Sequence, residues 1–360
     1  MSSFPDSLPG EAEREAGRRE ADEALVAGSV PQVPALAPVV IPHEEAAVAP
    51  PEEIEGSNPR EFTKSEILQN DIPPAEESLF ARYEFVPFRP AVRRIPNFGH
   101  FVVFILLGVG GYLSSGLVIL AAVHQHMFGV TTFKQAEEEI HYRLGSQTAW
   151  YLITLVFCVL IFPLVWQRSF FDGLEWRASA AVRQRWRLFG AALACFGVAL
   201  IDEILLPGPT NTPIDQTFRM PGAVWLLFAF GVTLAPLIEE IAYRGFLLPA
   251  LCTAYDWVVE HLTGSLAPRV DSNGRPRWSM PAMLVAAVVS SIPFALMHGD
   301  QTAYSLGPFL LLVCVSLVLS WVRLGTRSLA ASVLVHSSYN LLLFSLMYLG
   351  TGGFKHLDKM

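Results

Sequence analysis

The sequence predicts an all-α fold: a polytopic transmembrane helix bundle of about seven to eight spans behind a disordered N-terminal tail. Three observations lead there. First, 52% of the 360 residues are hydrophobic and the mean hydropathy is +0.40, which is too apolar for soluble domains. Second, apolar runs recur at the length that crosses a hydrocarbon core, roughly 20 residues at 1.5 Å rise. Third, the charge divides along the chain. Residues 1–80 hold 17 acidic against 5 basic residues, a net of −12, which leaves +4 of the total −8 for the remainder.

In chain order, residues 1–80 lack sustained apolar periodicity. They scatter Pro31, Pro34, Pro38, Pro42, Pro50, Pro51, Pro73 and Pro74 among glutamates, the composition of a solvated, disordered tether. Residues 81–220 are expected to hold the first transmembrane helices, with apolar runs at 101–123, 147–166 and 187–206. Residues 221–349 hold runs at 222–255, 281–298, 307–322 and 328–349, and 350–360 is a short tail. The 222–255 run is too long for one upright crossing. Pro236 inside it predicts a kink or break just before Glu239. Basic residues set the expected orientation. Arg82, Arg89, Arg93 and Arg94 precede the first span, and Arg168, Arg177, Arg183, Arg185 and Arg187 fill the second connection. Arg269, Arg275 and Arg277 lie in the fourth, and Arg323 and Arg327 in the sixth. These sides, and the N-terminal tail with them, are expected to be cytoplasmic.

Glu239, Glu240 and Arg244 stand in an apolar run, where each ionisable group costs roughly 2.5–3.5 kcal/mol on insertion scales. Glu240 and Arg244, four apart, share a helical face and can pair, whereas Glu239 is turned by about 100° and is left without a cation. An unpaired buried carboxylate suits a general base. His298 ends the fifth run in F-A-L-M-H-G, and His336 and Asn340 share a face of the last run in H-S-S-Y-N. Two imidazoles and an amide beside a carboxylate suit attack of water on a carbonyl, with or without a metal. Taken singly, each of these polar groups is equally suited to an interhelical hydrogen bond.

Cys158, Cys195, Cys252 and Cys314 read as packing residues, with no metal or redox spacing. His100, His124, His126 and His261 read as solvated. Trp150, Trp166, Trp176, Trp186 and Trp321 read as interfacial belts. No H-E-x-x-H, Walker loop or dinucleotide fingerprint appears, so neither nucleotide nor nucleic acid is an expected partner. Membrane lipid and a peptide or membrane-protein substrate are.

E-E-I-A-Y-R-G-F-L at 239–247, F-A-L-M-H at 294–298 and H-S-S-Y-N at 336–340 resemble the three motifs of the CPBP intramembrane endopeptidases, a family that includes CAAX prenyl endopeptidases. The R-L-G-T-R-S-L-A-A-S-V-L-V-H stretch leading into the last motif is also similar, and the likeness covers about 220–345. The resemblance implies a catalytic core at 221–349. There Glu239 and His298 would activate water, His336 and Asn340 would stabilise the oxyanion, and Glu240 and Arg244 would brace the site. It leaves open whether Glu239, His298 and His336 hold one divalent metal such as zinc or work without one. Two departures stand out: Arg327 where a glycine is common, and a polar insertion near 260–280. A non-catalytic scaffold of the same family and a small-molecule or ion transporter are the alternatives. One difficulty attends the site. Counting along the spans puts His298 near the far end of its helix and His336 only about 12 Å into its own, so convergence requires a shifted or tilted helix.

Overall fold

The computed structural model describes residues 94–209, 212–264 and 277–356. The expected tail at 1–80 and the middle of the polar insertion lie outside the described residues. Among the described residues every regular element is helical, and Phe85–Met360 forms one compact unit.

Among the described residues, seven helical runs are long and apolar enough to cross a membrane. They are α1 (Phe98–His124), α2 (Ile140–Trp166), α3 (Arg185–Leu205), a broken fourth run over Ala223–Thr263, α7 (Met280–Met297), α8 (Leu306–Thr326) and α9 (Leu329–Gly350). The fourth run comprises α4 (Ala223–Val232), α5 (Leu234–Glu240), a π-helical stretch at Ile241–Leu247 and α6 (Leu248–Thr263). Each coincides with an apolar run of the sequence. Helix starts are set locally. Asn97 accepts from the His100 backbone N–H while the His100 ring accepts from the Asn97 N–H, a reciprocal cap on α1. Ser279 caps α7 ahead of Pro281.

The bundle is inside-out by the standards of a soluble protein. Only 17–39% of an apolar 18-residue stretch of each span is buried within the protein, and Leu113, Leu117 and Leu164 stand free on the outer faces, as lipid-facing side chains do. Inside, α1 packs on α2, α3 on α8 and α9, and α7 on α6 and α8. Small side chains let backbones approach: Ala192 and Ala199 of α3 share a cluster with Ala331 and Val335 of α9. A second cluster gathers Phe104, Phe162, Trp166, Phe170 and Phe246, with the Phe104 and Phe246 rings stacked at 4.5 Å.

That cluster corrects one expectation. Trp186 and Trp321 are exposed at span ends, but Trp166 is buried, and the Trp150 indole lies within α2, donating to the Gly108 carbonyl. His100 is likewise a cap, not a solvated ring, and Cys314 is exposed whereas the other three cysteines are buried.

The break falls at Thr233 (φ −118°, ψ −78°), one turn before Pro236. Proline has no N–H to offer the Val232 carbonyl, and its ring clashes with that carbonyl in a continuous helix. The freed carbonyls find other donors: Ala229 takes the Thr233 hydroxyl, Phe230 the Thr233 N–H and Gly231 the Asn340 amide.

Two tertiary contacts fix helix depth. Asp256 of α6 accepts from the Ser279 hydroxyl (2.5 Å) and N–H (2.9 Å), so α7 begins beside Asp256. Arg323 Nε of α8 donates to the Arg244 carbonyl (3.3 Å), so the turn into α9 lies near Arg244. Arg244 precedes Asp256 by 12 residues, about 18 Å of helix, and α7 therefore starts that much deeper toward its end of the bundle than α9. His298 lies about 28 Å past Ser279 and His336 about 12 Å past Ser328, so the offset brings both to nearly one level. The apparent mismatch in depth is removed by where the helices start.

Candidate active site

Glu239 and Glu240 end α5 and point to different neighbours. Glu240, fully buried, accepts from Arg244 Nη1 at 3.0 Å and lies 3.1 Å from His336 Nδ1. Arg244 is also buried. It donates to the Ser316 carbonyl (3.0 Å) and hydroxyl (2.7 Å), and its guanidinium lies 4.5 Å from the Phe294 ring centroid. The pairing read from the i,i+4 spacing is present in the fold, extended by an α8 serine and an α7 phenylalanine that the sequence did not point to.

Glu239 has no such clamp. Its Oε2 lies 3.8 Å from His298 Nε2 and 3.8 Å from His336 Nε2, beyond direct hydrogen-bond reach of both. The other ring nitrogens are engaged. His298 Nδ1 is 2.9 Å from the Phe294 carbonyl, which only accepts, so Nδ1 carries the hydrogen and Nε2 presents a lone pair when the ring is neutral. His336 Nδ1 faces the carboxylate of Glu240, and the same reasoning applies. Both Nε2 atoms thus approach the same carboxylate oxygen of Glu239.

Asn340 lies one turn beyond His336 on the same cavity wall. Its amide nitrogen donates to the Gly231 carbonyl at 2.7 Å, which ties α9 to the helix break and leaves one N–H and the amide oxygen for the cavity. The cavity, about 310 Å³, is lined by Gln147, Gly231, Glu239, His298, His336 and Asn340 among others. On its far side Glu239 also lines a groove of about 440 Å³ between α1, α2, the π stretch and α7. That groove is walled by apolar residues such as Phe104, Ile105 and Ile238. Tyr243 stands on its wall, its hydroxyl donating to the Pro293 carbonyl at 3.2 Å. Tyr243 and the Gln147–Tyr151 pair (3.2 Å) were missed in the sequence. A polar side chain one residue before Arg244 in an apolar run was the available signal for Tyr243; nothing local marked Gln147.

A further cluster lies where a connection meets the end of a span. Glu175, in the connection between α2 and α3, contacts Arg323 (3.0 Å), Arg327 (3.2 Å) and Arg177 (3.2 Å). Burial pushes its carboxyl up, but the three arginines outweigh burial and hold it below the ordinary carboxylate range. The same contacts explain Arg327. It ends α8 in the left-handed region (φ 49°), where glycine is the usual residue, and its guanidinium reaches Glu175.

The donor types around Glu239 are those zinc accepts. Two ligand atoms on a tetrahedral zinc are about 3.3–3.4 Å apart, however, given bonds near 2.0–2.1 Å. The 3.8 Å separations are wider, and among the described residues no group of three His, Cys, Asp or Glu side chains is placed to hold a metal ion. The residues as they stand do not form a metal cage.

Residues 221–342 match the family described as Type II CAAX prenyl endopeptidase Rce1-like, and the matched stretch contains all three motifs. Over about a third of its length the chain is therefore similar to a family of CAAX-type intramembrane proteases, the one the motifs resemble. No curated protein and no solved structure matches the chain.

Proposed function

We propose that this multi-pass membrane protein is an intramembrane endopeptidase in which Glu239 activates a water molecule against a peptide carbonyl. The observation that carries the reading is the convergence of Glu239 Oε2 with the Nε2 atoms of His298 and His336 inside a helix-lined cavity. A water about 2.8 Å from Glu239 Oε2 and from His298 Nε2 fits between these two atoms, which are 3.8 Å apart, and can donate one hydrogen to each. Glu239 takes its proton as the oxygen attacks the carbonyl, while His298 orients it. The resulting oxyanion needs donors. Asn340 offers the spare amide N–H, and His336 donates from Nε2 when its ring is protonated, with Glu240 on Nδ1 and Arg244 behind it balancing that charge. Collapse of the intermediate breaks the C–N bond, and Glu239 returns the proton to the leaving amine. The apolar groove beside Glu239 suits the apolar part of a membrane substrate.

The buried Glu240–Arg244–Ser316 network would suit a scaffold equally well, so those residues do not discriminate. Glu239 does. Purified protein in lipid is expected to cut members of a membrane-peptide library, and a folded Glu239→Gln variant to lose about 10²–10⁴-fold in rate, the usual contribution of a general base. Full wild-type rate in the presence of chelator supports the metal-free route, and loss restored by added zinc contradicts it. Equal rates for the two proteins overturn the assignment of Glu239.

A further inference from the structure

Seven crossings leave the bundle two ends. One carries the start of α1 and the connections 167–184, 264–279 and 327–328; the other carries 125–139, 206–222, 298–305 and the residues after α9. Among the described residues, the first end holds 9 arginines, Arg94, Arg183, Arg187 and Arg277 among them. The second holds 4 lysines and arginines: Lys134, Arg143, Arg219 and Lys355. The second end is also acidic on balance, with 7 described carboxylates that include Glu137, Asp202, Asp215 and Asp300. Cations in short connections are retained on the cytoplasmic side, so the first end is cytoplasmic.

The polar cavity that holds Glu239, His298, His336 and Asn340 reaches toward the second end. Its walls include Gln147 near the start of α2, Ile214 and Phe218 of the 206–222 connection and Gln301 of the 298–305 connection. His298 closes α7 at that same end. The apolar groove runs the other way, to Phe101 and Phe104 in the first two turns of α1 and Leu247 at the end of the π stretch. Glu239 stands where the two meet.

From this placement we infer that the site draws its water and the polar part of its substrate from the non-cytoplasmic face. It would therefore act on membrane-anchored proteins whose polar chain lies outside the cytoplasm. The substrate statement rests on the protease reading; the direction the cavity faces does not. The test is accessibility labelling of the full chain in intact cells with a membrane-impermeant maleimide, using Asp300→Cys and Glu137→Cys for the second end and Arg183→Cys for the first. All three positions are exposed, and the unsubstituted chain serves as the blank for its four native cysteines. The expected result is full labelling of Asp300→Cys and Glu137→Cys in sealed cells, with Arg183→Cys labelled only after permeabilisation. External labelling of Arg183→Cys, or second-end cysteines protected until the membrane is opened, overturns the inference. Neither readout depends on activity, so loss of the protease reading would be seen separately, in the cleavage assay.

Discussion

The half of the bundle at the arginine-rich end and the half that holds the cavity treat charge in opposite ways, and the boundary between them runs through two adjacent glutamates. Below it, charges are clamped: Glu240 to Arg244 and Arg244 to Ser316, with Glu175 gathering Arg177, Arg323 and Arg327 at 3.0–3.2 Å. Above it, Glu239 faces His298 and His336 at 3.8 Å each, with no direct hydrogen bond to either. Clamped charges specify how helices pack, and each loses much if its partner is removed. Spaced acceptors contribute little to packing and hold a reactive group ready. The difference teaches that the polar residues of one membrane motif need not share a task.

Breaking the clamp is expected to have the largest effect on the fold. Arg244→Met leaves Glu240 buried without its cation and should destabilise the protein by about 3–5 kcal/mol, read as a lower thermal midpoint in lipid. Adding Glu240→Leu should recover much of that loss, because an apolar pair replaces a broken ionic one. A double variant as unstable as the single one would show that the cost is in packing, not charge.

The boundary itself is held by Asn340. Asn340→Leu strips the Gly231 carbonyl of its donor, at a cost of about 1–3 kcal/mol, and should speed amide hydrogen exchange around 229–237 more than elsewhere in the bundle. Uniform exchange would show that the break does not depend on α9.

A smaller and conditional effect is expected at Glu175. Its carboxyl sits below its ordinary value, so the stabilisation it provides is present above the ordinary carboxylate range and is lost as pH falls through the depressed value. Thermal midpoints of wild type should therefore fall below about pH 4 by an amount that Glu175→Gln does not share. Parallel acid profiles would remove Glu175 from the clamp. The smallest change is expected for Arg327→Gly. Relief of the left-handed backbone and loss of a partly exposed ion pair oppose each other, so stability should stay within about 1 kcal/mol.

Much of this division was legible in the sequence. Span positions follow from apolar runs, the break from the missing N–H of Pro236, and the Glu240–Arg244 pair from helical spacing. The shared level of His298 and His336 was not, because it depends on where α7 and α9 begin. Those starts are set by Asp256 on Ser279 and Arg323 on Arg244, contacts between residues 23 and 79 positions apart. Glu175 was invisible for a related reason: nothing in its own neighbourhood says that its connection turns back against α8. Trp166 misled because a tryptophan near a span end looks the same whether it meets lipid headgroups or, as here, Phe162, Phe170 and Phe246.

The most direct test sets the two neighbouring glutamates against each other. Glu239→Gln and Glu240→Gln are each measured for thermal midpoint and for cleavage rate in lipid. Glu239→Gln is expected to keep the wild-type midpoint and lose cleavage, and Glu240→Gln to lower the midpoint. Two variants that fail alike, or a Glu239→Gln protein that unfolds before it can be assayed, would contradict that expectation.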